Sequence, residues 1–267
     1  MTPTPDDRAK ISCLADKRTA LPQGAIIREQ GIEPSCVYLL SEGWAATSID
    51  LDNGTRQIAK VHLPGDLMGM PSVSLAETAD TLTALTPVVI ERIPLDRFAR
   101  LFVTSPRFAM AMFLSSQRER IALMDALARI GRTSSYQRMA WLLLDLHERL
   151  TVAALCGPSW FDLKLYQEQI ADILGITHEH ANRTFRRLKR DGLIRRTGQR
   201  IEILNRRGLV ELASWQRREL VSDPRWSSWD VEKLFDKVPA EGGMDTSPSS
   251  IRHRSSRSEP AEVCAEV

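Results

Sequence analysis

Short apolar runs separated by turn residues fill the first third of the chain, from about residue 20 to about residue 93. Runs such as CVYLL and PVVIERI have the length of strands, and turns containing glycine or proline recur between them. Asn53-Gly54 is the strongest hairpin signal, because both residues tolerate a positive φ angle. Many short strands at near-regular spacing predict a double-sheet barrel or jelly roll.

The pattern becomes helical after Leu95. From there to Leu150 the chain holds a single proline, Pro106, and a single glycine, Gly131. Ser105 is placed to cap a helix that begins at the proline and runs to about residue 130. One side of this helix carries residues at alternating steps of four and three, a heptad seam with one polar member. The seam consists of Met110, Leu114, Gln117, Ile121, Met124 and Ala128.

Two interpretations of this seam remain open. In the first, the helix packs its seam on the protein's own barrel. In the second, the seam forms a parallel two-stranded coiled coil across a homodimer axis. We favour the coiled coil, in which the polar Gln117 would fix the register of the two helices at a small cost in stability.

Two short helices joined by a tight turn are predicted further along. A helix from about 134 to about 151 precedes them, followed by a predicted loop, CGPSWFDLKL, at 156–165. Gly175 is a helix stop, and Thr177 can cap the next helix. Two helices joined at a glycine-containing turn form a helix-turn-helix. Its predicted inward positions are Ile170, Ala171, Leu174, Ile176, Ala181, Phe185 and Leu188.

His178 and His180 flank a glutamate at the start of the second helix, which raises the question of a metal site. Two residues apart on a helix, they point about 200° apart, whereas the helical zinc signature needs histidines four apart. No metal site is therefore expected. Glu179 and Arg183 are four apart and share the outward face, with Asn182 beside them. Because glutamate can accept from cytosine and arginine can bind guanine bidentately, this face is predicted to read bases, assisted by Asn182 and His178.

Positive charge is concentrated around this helix, although the whole chain is nearly balanced, with Lys+Arg 36 and Asp+Glu 34. A charge run is usually a solvated face, but this one coincides with the helix-turn-helix. It continues into LIRRTGQRIEIL, which predicts a hairpin with its turn at 197–199. We interpret the hairpin as the wing of a winged helix. Phosphate contacts are predicted for Thr177, Arg187, Lys189, Arg195, Arg196 and Arg200.

Composition and spacing argue against several other classes of protein. No apolar run approaches the ~18 residues of a membrane span, and the N-terminus lacks the apolar core of a signal peptide, so we expect a cytoplasmic protein. No nucleophile–base set, P-loop or metal-ligand spacing supports an enzyme, and no cofactor is predicted. The lone His62 is interpreted as a surface or packing residue rather than a haem ligand. Four cysteines are scattered without a C-x-x-C pair: Cys13, Cys36, Cys156 and Cys264.

The stretch LYQEQIADILGITHEHANRTFRRLKRDGLIRRTGQRIEIL resembles the DNA-binding module of the Crp/Fnr family of bacterial transcription regulators. PGDLMG, at 64–69, resembles the turn that closes the family's β-roll. The resemblance covers about residues 20–215 and implies an α+β fold: an N-terminal β-roll (a double-sheet jelly roll), a long dimerisation helix and a C-terminal winged helix-turn-helix. The expected domains are 1–103 for the β-roll, 104–132 for the dimer helix and 133–236 for the DNA-binding module, with a Ser- and Pro-rich tail, 237–267, predicted to be disordered.

The resemblance also implies a function, namely sequence-specific regulation of transcription by a homodimer on a palindromic site. Double-stranded DNA is the implied partner, and RNA polymerase is a candidate further one. The family's base-reading glutamate and arginine fall on Glu179 and Arg183. His178 falls where many members carry a polar or phosphate-contacting side chain, and Asn182 where they carry a small or polar one.

The chain departs from the members that bind cyclic AMP, which have a glycine–glutamate pair and an arginine followed by serine or threonine. Met70 stands where the glutamate is expected, and Thr78 and Ala79 stand where the arginine and serine are expected. No arginine or lysine occurs between Lys60 and Arg92, and a buried phosphate without a cationic partner would be costly. We therefore predict that cyclic AMP does not control this protein; its effector is unknown.

A rival function of another class is a signal- or redox-sensing module that acts mainly through protein contact. Its basic helix would then bind an acidic partner. A salt titration of binding to genomic DNA separates the two functions, because only a DNA reader selects discrete palindromic fragments.

Overall fold

Two four-stranded antiparallel sheets form the N-terminal part of the structure. The computed structural model describes residue 9 and residues 11–216. In that part of the chain the strand order is β1-β8-β3-β6 in one sheet and β2-β7-β4-β5 in the other, which confirms the expected β-roll. The strands are β1 (Lys17–Leu21), β2 (Ile26–Arg28), β3 (Cys36–Glu42), β4 (Ala45–Asp50), β5 (Arg56–His62), β6 (Leu67–Met68), β7 (Thr81–Ala84) and β8 (Val88–Pro94).

The helical region begins directly after β8. Ser105 caps the longest helix by accepting a hydrogen bond from the Phe108 amide, and Pro106 occupies its first turn, as predicted. At 1.5 Å per residue its 27 residues span about 40 Å. The helices are α1 (Leu95–Thr104), α2 (Pro106–Arg132), α3 (Ser135–Val152), α4 (Gln167–Leu174), α5 (His178–Arg190) and α6 (Arg206–Ala213), and a short 3-10 helix spans Met70–Ser74.

Strand β3 is buried on both faces, which explains why it is almost continuously apolar. Tyr38 and Leu40 pack between the two sheets. Val37 and Leu39 point the other way and pack against α1 and the start of α2. A strand with one solvated face would alternate apolar and polar residues instead. The N-terminal part of α2 is therefore fixed to the β-roll.

The C-terminal module contains one strand that the sequence did not predict. A three-stranded sheet in the order β10-β11-β9 joins β9 (Trp160–Asp162), β10 (Ile194–Thr197) and β11 (Arg200–Ile203). The β10–β11 hairpin is the predicted wing. The loop predicted for 156–165 is wrong at β9, because three residues are too short for a periodic signal and the strand forms by pairing with distant β11. Residues 217–236 of the predicted module, and the predicted tail 237–267, lie outside the described residues.

One apolar core joins the β-roll to the C-terminal module. Ile58 and Val61 of β5 belong to the same buried cluster as Leu142 and Leu146 of α3 and Leu174 of α4. Polar contacts follow the same boundary. The Arg149 guanidinium donates to the Val61 carbonyl at 2.6 Å, and the side-chain Nε2 of Gln57 donates to the Ile173 carbonyl at 3.1 Å. The helix-turn-helix is thus docked directly on strand β5.

His62 lies at the end of β5 beside this boundary and is buried, with 4% of its surface exposed. It is a packing residue, one of the two roles expected for it. Its Nε2 is 2.7 Å from the Thr47 hydroxyl. Burial lowers the pKa of His62 well below its usual value, and the positive charges of Lys60 and Arg149 lower it further. The imidazole is therefore neutral in the folded chain at neutral pH.

The free energy of unfolding should fall as the pH drops below about 6.5, the ordinary pKa of a histidine in an unfolded chain. In that range the unfolded chain binds a proton that folded His62 does not, so each pH unit removes about 1.4 kcal/mol until folded His62 itself titrates. Urea unfolding between pH 7 and pH 5 should give a shallower pH slope for His62→Gln than for the unmodified chain. His180→Gln is the matched control, because His180 is exposed. Parallel slopes for the unmodified chain and both variants would contradict the assignment.

Candidate nucleic-acid interface

Helix α5 is the second helix of the predicted helix-turn-helix, and its start is sharply defined. Gly175 ends α4 in the left-handed region, with φ 62°, where a side chain would be strained. Thr177 then caps α5 by accepting a hydrogen bond from the His180 amide. The residues predicted to face inward on α5 are buried, and Thr184 is buried with them. The outward face of α5 is therefore fixed by packing.

The outward face presents the predicted base-reading residues. Glu179 and Arg183 are both exposed, one helical turn apart, and Asn182 is half-buried beside them. The Asn182 side-chain amide and the His178 ring nitrogen lie 3.1 Å apart, so these two residues already contact each other. His180 points elsewhere, with its Nε2 2.7 Å from the Ser135 hydroxyl of α3.

A metal site at the two histidines finds no support in this geometry. Their partners lie on different elements, Asn182 within α5 and Ser135 at the start of α3. Among the described residues, no group of three or more histidine, cysteine or acidic side chains is arranged to hold a metal ion.

The cations of α5 fall into two groups. Arg183, Arg186 and Lys189 are exposed, and none of them forms an ion pair with another described residue. Arg187, by contrast, stacks over the Tyr136 ring at 4.1 Å and lies 3.6 Å from the Asp191 carboxylate. The first group is available to a polyanion, whereas Arg187 also holds the end of the helix.

Tyr136 and Asp191 tie the C-terminal end of α5 to α3. The Tyr136 hydroxyl donates to the Asp191 carboxylate at 2.6 Å. Burial, together with this hydrogen bond, raises the pKa of Tyr136 to about 12. The same hydrogen bond lowers the pKa of Asp191, so the pair persists as a phenol and a carboxylate across the neutral range. This contact was not predictable from local patterns in the sequence, because its two members are 55 positions apart.

The wing arginines that were predicted to contact phosphate are held by partners within the chain. Arg195 pairs with Glu202 on β11 at 3.0 Å. The Arg200 guanidinium lies 3.9 Å from the centre of the Trp160 ring, and its Nε is 3.5 Å from the Asp162 carboxylate. Arg196 is half-buried and donates to the Gly198 carbonyl at 2.9 Å. Sequence reasoning missed these partners because they lie on other strands or across the hairpin turn.

Helix α2 presents the predicted seam unevenly. Met110, Leu114 and Gln117 are half-buried, whereas Ile121 and Met124 are 42% and 59% exposed, and Ala128 is exposed. Sequence reasoning missed a neighbouring exposed stripe on the same helix. The exposed apolar surface of α2 is therefore wider than six seam positions, and the added residues are Phe113, Leu123, Leu127 and Ile130.

A buried cation that the sequence did not predict lies against the segment that follows β6. Arg28 comes from β2 and donates to the Asp80 carboxylate at 2.6 Å, with 2% and 6% of the two side chains exposed. Its guanidinium also reaches the Gly69 carbonyl and the Ser72 hydroxyl, at 3.3 and 3.4 Å. The segment lacking arginine and lysine between Lys60 and Arg92 thus receives a cation from outside it, already paired with a carboxylate.

Both halves of the chain match models of known protein domains. The model of a Crp-like helix-turn-helix domain matches residues 137–225, and that of a cyclic nucleotide-binding domain matches residues 18–105. The transcriptional activatory protein AadR of Rhodopseudomonas palustris is 33% identical over 192 residues, covering 71% of this chain and 78% of AadR. The chain belongs to the Crp/Fnr family of transcription regulators. This Crp/Fnr regulator is also 27% identical to the transcriptional regulatory protein btr of Bordetella pertussis over 203 residues, covering 76% of this chain and 84% of btr.

Solved structures show the same fold. FixK2 from Bradyrhizobium japonicum superposes with a TM-score of 0.68 at 22% identity, covering 75% of this chain and 98% of that one. The regulator CLP of Xanthomonas campestris, described as responsive to c-di-GMP, gives 0.61 at 18% identity, covering 74% and 97%. The expected α+β architecture is confirmed.

Membership of the Crp/Fnr family sets the broad function. The protein is a transcription regulator with a DNA-binding helix-turn-helix, in a family whose members bind DNA and act as dimers rather than as enzymes. Within the described part of the chain, no helix has both the length and the apolar content to cross a bilayer.

Proposed function

We propose that this Crp/Fnr regulator binds a palindromic DNA site as a homodimer, with one α5 helix in each of two successive major grooves. The observation that carries the proposal is the outward face of α5, where Glu179 and Arg183 are exposed above a fully packed inner face. Glutamate and arginine match the hydrogen-bonding groups of a C·G pair. Asn182 and His178 assist, exchanging their mutual hydrogen bond for contacts with DNA.

The surrounding cations fix the position of α5 on the duplex. Lys189 and Arg187 on the helix, together with Thr177 at its start, contact phosphates, which supply affinity without sequence preference. Arg195, Arg196 and Arg200 of the wing contact the backbone on one side, exchanging some of their intramolecular contacts for phosphate. The exposed Arg186 belongs with this group, although its sequence position alone did not single it out.

The homodimer forms through α2, whose exposed apolar residues otherwise face water. Ile121 and Met124 lie at the centre of the seam, and Gln117 fixes the register. The adjoining stripe extends the buried surface. Two α5 helices about 34 Å apart, one turn of DNA, then match a two-fold symmetric site. The division into 1–103, 104–132 and 133–236 remains our proposed domain organisation, and RNA polymerase remains a candidate partner.

We further propose that cyclic AMP does not control this protein. Arg28 and Asp80 support this proposal, because the cation that reaches the 69–80 segment comes from β2 and is buried in an ion pair with Asp80. A cyclic phosphate would have to displace the Asp80 carboxylate from Arg28, and exposing or stranding a buried carboxylate costs several kcal/mol. Met70, Thr78 and Ala79 supply no replacement cation.

Arg183→Ala should weaken binding to the selected operator by about 1–3 kcal/mol and relax preference at one base position of each half-site. Lys189→Ala should weaken binding to all sequences alike and reduce the salt slope by about one unit. The measurement is a salt titration of operator and random duplexes by fluorescence anisotropy, after selection of sites from genomic fragments. The assigned roles fail if the two variants lose the same affinity on both duplexes.

Met124→Glu should convert the dimer to a monomer, because it places a carboxylate opposite its own copy in an apolar seam. Sedimentation velocity reports the oligomeric state, and operator affinity should fall at least tenfold because the two half-sites are no longer linked. Ala122→Glu is the matched control, since Ala122 is exposed on the opposite side of the same helix and receives the same carboxylate. A Met124→Glu protein that remained dimeric would refute the seam.

Millimolar cyclic AMP should leave operator affinity and the melting temperature of the full chain unchanged. Asp80→Ala, in contrast, should cost about 3–5 kcal/mol of stability, because it leaves the Arg28 charge buried and unpaired. Calorimetric titration and urea unfolding measure the two effects. Saturable cyclic AMP binding to the unmodified chain would overturn the proposal.

A further inference from the structure

A cavity of about 520 Å³ lies between strand β5, the middle and end of α2, and helix α3. Its size is in the range of small-molecule sites, ~300–1,000 Å³. No residue of the 69–80 segment lines it, so it is separate from the part of the β-roll that holds the Arg28–Asp80 pair. It touches three elements whose relative placement determines how the helix-turn-helix is held.

The walls of the cavity are mainly apolar. Ala122 and Ala126 of α2 form one side, and Trp141 and Leu142 of α3 form another. Ile58 of β5 closes the inner end and belongs to the core that joins the two halves of the chain. An apolar body of one or two rings fits the dimensions of such a space.

The six residues of the predicted seam of α2 are separate from the cavity. None of the six seam residues lines the cavity. At about 100° per residue, Glu119, Ala122 and Ala126 lie on the side of α2 away from Met124. Three residues of the adjoining stripe, Leu123, Leu127 and Ile130, do line the cavity, half or more exposed, so a second copy of α2 would border the cavity at this edge.

Most charges around the cavity are already neutralised. Lys60 pairs with Glu119 at 2.6 Å. Arg149 lies 3.2 Å from Asp66 and 3.6 Å from Asp145. These pairs add polarity to the walls but little net charge.

Arg138 differs from these residues. Its Nη1 donates to the Thr133 carbonyl at 2.7 Å, but its Nε is buried without a hydrogen-bond partner among the described residues. No described carboxylate forms an ion pair with it, and burial lowers the pKa of the guanidinium. A half-buried guanidinium without a carboxylate partner is a suitable contact for a planar anion.

We propose that this cavity binds a small amphipathic carboxylate. Its apolar body lies between Ala122, Ala126 and Trp141, and its carboxylate accepts hydrogen bonds from Arg138. The affinity requires both parts, because the walls offer apolar surface and the cation provides the anchor.

The site also couples to DNA binding, a consequence that rests on the proposed function. The ligand bridges β5 and α2 on one side and α3 on the other, and α3 holds α5 through Tyr136 and Ser135. A ligand that changes the packing of α3 changes operator affinity, and by thermodynamic linkage the operator changes ligand affinity by the same factor.

Binding is tested on the full chain without DNA, so the result does not depend on the proposed DNA site. Isothermal titration with 4-phenylbutyrate and decanoate should show one saturable site per chain, whereas 4-phenylbutanol and 4-phenylbutylamine should bind at least tenfold more weakly. Arg138→Gln should weaken the carboxylates about tenfold, as expected for loss of one charge-assisted contact, with Arg138→Lys recovering part of the affinity. Arg120→Gln is the matched control, since Arg120 is exposed on α2 outside the cavity.

Ala126→Trp provides a second, independent test, because it adds a large side chain to the cavity from α2, whereas Arg138 lies on α3. It should abolish carboxylate binding even if Arg138→Gln fails to fold. The proposal is overturned if carboxylate, alcohol and amine bind equally, if neither carboxylate binds, or if Ala126→Trp retains binding. A separate operator titration with saturating 4-phenylbutyrate tests the coupling. Ligand binding with no shift in operator affinity would refute the coupling while leaving the cavity site intact.

Discussion

The packing of α3 against both the β-roll and helix α5 is the constraint on which the rest of the structure depends. One face of α3 contributes Leu142 and Leu146 to the core shared with β5, and its N-terminal turn holds α5 through Tyr136 and Ser135. Because side chains in such a core are close-packed, a shift of α3 cannot be absorbed locally. The direction in which α5 faces is therefore set by contacts that begin in the β-roll.

The charged residues divide according to how firmly the chain itself holds them. The exposed cations of α5 have few contacts within the chain, whereas the wing arginines and Arg187 each contact a carboxylate, a carbonyl or an aromatic ring. The buried Arg28 contacts only groups of the interior: the Asp80 carboxylate, the Gly69 carbonyl and the Ser72 hydroxyl. The cations thus fall into three classes. Some are free to contact DNA directly, others would first have to release an intramolecular contact, and Arg28 is buried and stabilises only the interior. Counting arginines along the sequence could not make that distinction.

The elements that depend on local periodicity and turn chemistry were predictable from the sequence. The cap at Ser105, the glycine stop at Gly175 and the inward stripe of α5 all follow from residues within a few positions of one another, and the structure has each of them. Strand β9, the Arg28–Asp80 pair and the burial of His62 were not predictable. Each depends on residues that are far apart in the sequence and meet only when the sheets and helices pack. The second apolar stripe on α2 was not predicted, because it lies outside the single heptad frame that defines the seam. The assignment of individual side chains to bases and phosphates remains a prediction.

The ordered wing has a consequence for the thermodynamics of binding. Arg195 and Arg200 each already contact an internal carboxylate before any duplex binds, so part of their side-chain freedom is lost in advance. If they contact phosphates as proposed, each one exchanges a carboxylate neighbour for a phosphate, and the net number of counterions displaced is smaller than the number of guanidinium groups at the interface. The chain should therefore bind arbitrary polyanions more weakly than its cluster of basic residues suggests. A larger share of its sequence specificity then depends on the few side chains proposed to contact base edges.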